Sequence, residues 1–238
     1  MNPYDPKGEK GEQVRTMFDR VAHSYDRLNH LMSLGIDRLW RRRVAKMAAR
    51  ANPAAILDVA TGTADMAIAV ARRCPNAQIT GVDLSEKMLE TGRAKVVLAG
   101  LSKRIRLREG VAEALPLPDG AFDAATVAFG VRNFSDIAQG LREMCRVLRP
   151  GGELFILEFS TPRVKFFGRL YHWYFHRVVP AVGGWLSGDR KAYTYLPASV
   201  DEFPAPERFL KMMQMAGIEH CCVRRLFFGV VAIYKGIK

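Results

Sequence analysis

Ile56-Leu-Asp58-Val-Ala60-Thr-Gly62-Thr63-Ala64-Asp65 and, one strand later, Gln78-Ile-Thr-Gly-Val-Asp83 decide how this chain folds. A short apolar run, a turn of small residues, a helix-like stretch and a second apolar run ending in an acid describe the first half of a nucleotide-binding βαβ unit. Small residues at Ala60, Gly62 and Ala64 let the turn tighten, so that a ligand can lie against backbone N–H groups at the helix start. Asp83 then sits where an adenosine ribose would present its hydroxyls.

A dinucleotide site would use the same layout with the fingerprint Gly-x-Gly-x-x-Gly. The matching positions here are Gly62, Ala64 and Ala67, so a single glycine of that fingerprint is present. Charge separates the candidates further. Asp58 and Asp65 flank the loop, and carboxylates beside a pyrophosphate would repel it, whereas they attract the sulfonium and ammonium of S-adenosylmethionine. These charges favour a methyl donor; the competing reading is that the acids merely cap a helix.

Working outward, 238 residues suit one α/β domain with additions. No run approaches the ~18 apolar residues of a membrane span, and the first residues lack the apolar region of a secretory signal. Cys74, Cys145, Cys221 and Cys222 have no metal-ligand spacing, so no metal and a reducing cytoplasm are expected. The formal charge of +12 suits contact with anionic lipid or nucleic acid, although solubility alone would also account for it.

Residues 1–11 read as a poorly ordered arm. From Glu12 to Arg50, apolar residues recur at three- and four-residue steps in two stretches divided at Gly35, which predicts a pair of helices capping the cofactor mouth. Tyr25, Asp26, Asn29 and Ser33 place hydrogen-bonding groups along that cap, facing a ligand or simply the surface. Helices follow at Met66–Arg73, Met88–Leu98 with Ser85 as N-cap, and Asp136–Leu148. Strands are expected at Ile105–Arg108, Phe122–Phe129 and Glu153–Phe159. The Pro-punctuated loop Gly110–Gly120 is placed against the adenine, with Val111 and Ala112 on the ring.

Arg132 and Asn133, beyond the central fourth strand, project on this reading toward the transferred methyl and the acceptor. Glu158 ends the fifth strand, to bind an acceptor hydroxyl or to brace the loop. Val164 to Leu186 interleaves Phe166, Phe167, Leu170, Tyr171 and Trp185 with Arg163, Lys165 and Arg169, as a lid snorkelling at lipid headgroups or a helix packed on the core. A second polar patch covers Asp189 to Pro197, and two strands finish the chain around Arg225 and Leu226.

Four stretches together resemble one family. Tyr25-Asp-Arg-Leu-Asn29 with Ser33 and Trp40, Phe129-Gly-Val-Arg-Asn133, Arg146-Val-Leu-Arg149-Pro-Gly-Gly152-Glu-Leu-Phe-Ile-Leu-Glu158-Phe-Ser160 and Tyr193-Thr-Tyr195-Leu are similar to the motifs of the ubiquinone/menaquinone biosynthesis C-methyltransferases. The resemblance runs from about Val14 to Lys238. It implies an α/β fold with a doubly wound, mostly parallel seven-stranded sheet of the class I S-adenosylmethionine-dependent methyltransferase type. The expected organisation is an arm and cap over 1–50 and a methyltransferase domain over 51–238 with a lid at about 161–200.

By position, the resemblance implies that Thr63, Asp83, Val111 and Ala112 contact S-adenosylmethionine, with Asp58, Gly62 and Asp65 around its loop and Ala128 where some members carry a cofactor-contacting Ser. It also implies transfer of a methyl group to a ring carbon of a polyprenylated quinol, demethylmenaquinol first and the ubiquinone-pathway benzoquinol second. Arg132 would stabilise the developing oxyanion or hold a water that takes the proton, Asn133 and Tyr195 would orient ring oxygens, and Asp26 and Asn29 would close the site. Peripheral contact with the cytoplasmic membrane face is expected and nucleic acid is not; a homodimer is one option for the assembly. The competing reading is a methyltransferase acting on RNA or another small metabolite.

Overall fold

The structure, a computed structural model, describes residues 2–160, 162, 168, 172–180, 183 and 189–238. The lid residues Arg163, Lys165, Phe166, Phe167, Arg169, Leu170, Tyr171 and Trp185 lie outside the described residues.

Alternation along each strand builds the molecule. In β1 (Ala55–Val59), Ile56 points into one apolar layer and Leu57 and Val59 into the other; in β5 (Leu148–Phe159), Phe155 and Leu157 alternate with Leu154 and Ile156 in the same way. A sheet apolar on both faces needs helices on both faces. One layer is completed by α2 (Asp37–Ala48) and α3 (Asp65–Arg73), the other by α5 (Ile137–Val147) and α7 (Pro206–Met215).

The remaining elements are α1 (Lys10–Met32), β2 (Gln78–Asp83), α4 (Glu86–Leu98), β3 (Ile105–Glu109), β4 (Phe122–Ala128), α6 (Arg190–Asp201), β6 (Glu219–Leu226) and β7 (Val231–Ile237). The seven strands form one sheet in the order β3-β2-β1-β4-β5-β7-β6, parallel except for β7, which runs antiparallel to both neighbours. This is the seven-stranded doubly wound sheet that the sequence led us to expect. Strand order reverses between β1 and β4, and a crevice opens there at the carboxyl edge. The loops after these two strands touch: a Cβ on Gly130 would lie 2.5 Å from the Ala60 Cβ.

Three local expectations change. The arm is tied down: the Gln13 side chain accepts the backbone N–H groups of Tyr4 and Asp5, and the Tyr4 hydroxyl donates to Asp189 at 2.6 Å. The polar patch after Asp189 is the helix α6, whose first turn Asp189 caps by accepting from Ala192 N, and which carries Pro197 inside it. The final hairpin turns at Phe227–Gly229, two residues later than expected, because the β propensity of adjacent aromatics disguised a turn. Among the described residues, no helix is long and apolar enough to cross a membrane.

Candidate active site

Strain concentrates at the carboxyl edge of the sheet. Ala60, Ala64 and Phe129 hold φ of 50°, 66° and 60°, a left-handed conformation that non-glycine residues adopt at a cost and that marks functional loops. The turn they shape surrounds a cavity of about 280 Å³ lined from β1, β2, β4, the Gly110–Ala112 loop and, from above, α1.

Asp83 stands in the wall of this cavity. One oxygen accepts Gly62 N at 2.7 Å and the other Ser85 N at 2.9 Å, which leaves further lone-pair positions for two adjacent hydroxyls. Burial pushes its pKa up to about 6, against the pull of these N–H groups. Val111, half exposed, and buried Ala112 form an apolar shelf beside it. The loop carrying them is pinned from beneath by Arg146, which donates to Leu115 O and Leu117 O at 2.9 Å each. Gly62 and Ala128 complete the lining. Four acids, Glu12, Asp83, Glu109 and Glu113, face one base, Arg15, which pairs with Glu109 at 2.9 Å. An adenosine-bearing cation fits this set, and a pyrophosphate does not.

The acids that first suggested that sign lie elsewhere. Asp58 is behind the loop, accepting the hydroxyls of Thr61 at 2.6 Å and Thr126 at 2.7 Å; burial raises its pKa to about 6. Asp65 pairs with Lys95 at 2.5 Å. Thr63 and Asp26 also leave the cavity wall: Thr63 Oγ1 donates to Asp26 Oδ1 at 2.6 Å, and Lys95 Nζ reaches Asp26 Oδ2 at 2.5 Å. Asp26 therefore fastens α1 to the cofactor loop instead of closing over an acceptor. Sequence reasoning missed Lys95, since one lysine on an amphipathic helix carries no signal until α1 folds over α4. Beside this network His30, Asp37 and Asp65 place possible ligand atoms within 4.8 Å of one another, yet Arg41 and Lys95 already neutralise the two carboxylates.

A second, larger cavity of about 510 Å³ lies between α1, α2, the helical turn Tyr174–Val178, α6 and the sheet edge. Its walls are mostly apolar, with Met17, Val21, Trp40, Phe159, Phe175 and Val179 among them. Phe18, Tyr25, Phe129 and Asn133 line both cavities and form the partition between them. Two polar atoms here are buried without a partner: Asn133 Oδ1 and the Tyr195 hydroxyl. Buried polar groups in folded proteins are as a rule satisfied, so these two atoms leave one acceptor and one hydroxyl unused within the protein. Burial raises the Tyr195 pKa to about 12; burial also pushes the Tyr25 hydroxyl upward, against the side chain of Asn29, which meets that hydroxyl and faces the same cavity.

The charged residues of this wall are internally neutral. Arg132 pairs with Glu158 at 2.8 Å, and its Nε donates to Ser199 Oγ at 3.2 Å. Arg41 pairs with Asp37, whose carboxyl burial pushes up but which Arg41, Ser33 and His30 hold below the usual range. Arg132 is thus a fixed, compensated guanidinium and not a free cation aimed at an oxyanion. Glu158 braces it and also accepts Phe159 N at 2.9 Å, which settles the role of that strand-end acid as a brace.

Comparison with known proteins shows the family. The model of the ubiE/COQ5 methyltransferase family matches residues 7–238. The chain is 48% identical over 231 residues to the ubiquinone/menaquinone biosynthesis C-methyltransferase UbiE of Geobacter sulfurreducens, covering 97% of this chain and 90% of that protein. It is 47% identical over 236 residues to the demethylmenaquinone methyltransferase of Deinococcus radiodurans, covering 99% and 97%. Among solved structures, the [4+2]-cyclase SpnF shares the fold at 21% identity and a TM-score of 0.70, with 96% of each chain covered. That a cyclase shares the fold underlines that the site, not the sheet, decides the reaction. Family model, near-complete coverage and site geometry agree: the chain belongs to the ubiE/COQ5 methyltransferase family.

Proposed function

We propose that this chain transfers a methyl group from S-adenosylmethionine to a ring carbon of a polyprenylated quinol, converting demethylmenaquinol to menaquinol. The observation that carries the reading is the partition: an acid-lined cavity with Asp83 in its wall meets an apolar, charge-neutral cavity across Phe18, Tyr25, Phe129 and Asn133.

Bound in the first cavity, S-adenosylmethionine supplies an electrophilic methyl group on a sulfonium. Asp83 would hold the ribose hydroxyls, Gly62 and Ala128 would lie against the cofactor, and Val111 and Ala112 would carry the adenine. Asp58, Thr63 and Asp65 would shape the loop from behind. In the second cavity a quinol ring would gain carbon nucleophilicity as its hydroxyl gives up a proton; as the new C–C bond forms the methyl–sulfur bond breaks and its electron pair leaves on S-adenosylhomocysteine, after which the ring C–H proton is lost and the oxygen regains one, for a net release of one proton. Asn133 and Tyr195 would orient the ring oxygens, Asn29 would act through Tyr25, and Arg132 would fix the Phe129–Asn133 turn through its bond to Phe129 O. Holding the two reactants in register across a thin partition is worth several orders of magnitude in rate.

Neutral, apolar walls suit a quinol carrying an isoprenoid tail. Nucleotide phosphates would need uncompensated cations, and the guanidinium groups lining this cavity, Arg41 and Arg132, are paired. We also place the residues at about 161–200 as a lid, 1–50 as arm and cap, and the enzyme against a membrane surface, where a polyprenyl tail resides. Incubation with methyl-labelled donor and, in parallel, demethylmenaquinol, a ubiquinone-pathway benzoquinol and bulk RNA tests the assignment. Label in the naphthoquinol supports it; label confined to RNA removes it.

A further inference from the structure

The mouth of the larger cavity is ringed by apolar side chains that face water. Leu34, Trp173 and Phe227 line the cavity while being 82%, 59% and 50% exposed, so they form its rim. Phe228, 65% exposed, lies edge-on to Phe227 with ring centroids 6.3 Å apart, and Phe227 packs edge-on against Trp40 at 6.2 Å.

The backbone goes to some length to expose them. Leu34, Phe227 and Phe228 have φ of 51°, 52° and 56°, the left-handed region that favours glycine. The apolar surface that these side chains leave exposed at the mouth is available for a partner to cover.

Charge says what lies there. Beside the rim, the outward face of α2 shows Leu39, Arg42 and Arg43, all exposed. Asp37 is the single acid between positions 34 and 50, and it is buried against Arg41. Apolar tips flanked by uncompensated guanidinium groups complement a bilayer whose headgroups are anionic.

We infer that the loops at 33–36 and 227–229, together with the outward face of α2, dock on an anionic lipid bilayer and set the cavity mouth against its acyl layer. The membrane contact is thereby assigned to a face built from the two ends of the chain, and it rests on the proposed lipid-tailed acceptor.

Sedimentation of the full chain with quinol-free vesicles tests it, using phosphatidylcholine alone or with phosphatidylglycerol, alongside Phe228→Gly and the pair Arg42→Glu with Arg43→Glu. The wild type is expected to follow the anionic vesicles and not the neutral ones. Both variants should bind on the order of tenfold more weakly. Phe228→Gly relieves a φ of 56° but gives up the ring contact with Phe227, so Tm is measured beside binding, and a Tm within a few degrees of wild type separates weaker binding from unfolding. Methyl transfer to a short-chain, water-soluble quinol without vesicles should stay within twofold of wild type in both. Equal binding by wild type and variants, no binding to anionic vesicles, or equal binding to neutral ones overturns the docking face. Vesicle binding as expected, with no methylation of any quinol, keeps the face and removes the reaction.

Discussion

Arg132 Nη1 lies 2.8 Å from Glu158 Oε1, and the two side chains are only 6% and 0% exposed. Removing one partner of a buried pair strands the other charge, which typically costs about 3–5 kcal/mol, whereas replacing both by apolar groups is often neutral. Arg132→Ala is therefore expected to lower Tm sharply as well as activity. The informative variant is Arg132→Met with Glu158→Leu: its Tm should return near wild type while kcat stays down on the order of tenfold, because the Phe129–Asn133 turn loses the guanidinium's bond to Phe129 O. Thermal unfolding and steady-state kinetics on the same preparations separate the roles; recovered kcat in the double variant would make Arg132 purely structural.

Asp83 should give donor binding its pH dependence. Its pKa stands at about 6 because burial outweighs two N–H donors, and the ionised form is the one that accepts two ribose hydroxyls. Below about pH 6 the carboxyl gains a proton and loses acceptor capacity, so the affinity for S-adenosylhomocysteine should fall as pH drops from 7 to 5. Calorimetry on Asp83→Asn should show weak binding across that range with the slope removed. The stability contribution has the opposite sense: the folded state holds this proton more tightly than the unfolded chain, so acidification between about pH 6 and 4 favours folding at this group. A loss of stability in that window would have to arise elsewhere.

Tyr195 buries a hydroxyl with no partner. An unsatisfied buried hydroxyl costs about 1–3 kcal/mol, so Tyr195→Phe should leave Tm unchanged or raised. If the hydroxyl waits for a ring oxygen of the acceptor, the same change should lower kcat on the order of tenfold and leave donor affinity alone. A coincident fall in Tm and kcat would mean a structural role instead.

Lys95 bridges Asp26 on α1 and Asp65 on α3, each at 2.5 Å, with all three side chains about a quarter exposed. Solvent screens such contacts, so Lys95→Met should cost only about 1–2 kcal/mol of stability. Its larger effect should be on donor affinity, since Thr63 and the cofactor loop lose their tether to α1. Isothermal titration should show a Kd raised severalfold, with the acceptor KM less affected.

Several features were legible before the fold. Ile56–Asp65 and Asp83 specified the first half of a βαβ unit, and the family resemblance implied the seven-stranded doubly wound sheet, since burial on both faces leaves a parallel sheet few arrangements. The motifs around Arg132 and Arg146 led to the family, and the structure adds that Arg146 holds Leu115 and Leu117 in place. The hairpin turn at Phe227 escaped notice because two adjacent aromatics look like strand until the backbone is seen to reverse through them.

What the amino-acid sequence determined by itself is the order of the strands and the carboxyl edge where chemistry happens, since both follow from short-range periodicity and turn chemistry. What only the tertiary structure decided is which charges are spent on one another. Asp58 meets Thr61 and Thr126, Asp26 meets Thr63 and Lys95, and Arg132 meets Glu158, pairings of which several span more than 25 positions in the chain. A carboxylate or guanidinium has the same identity whether free or neutralised, so its availability to a ligand is fixed by the neighbours that folding brings to it.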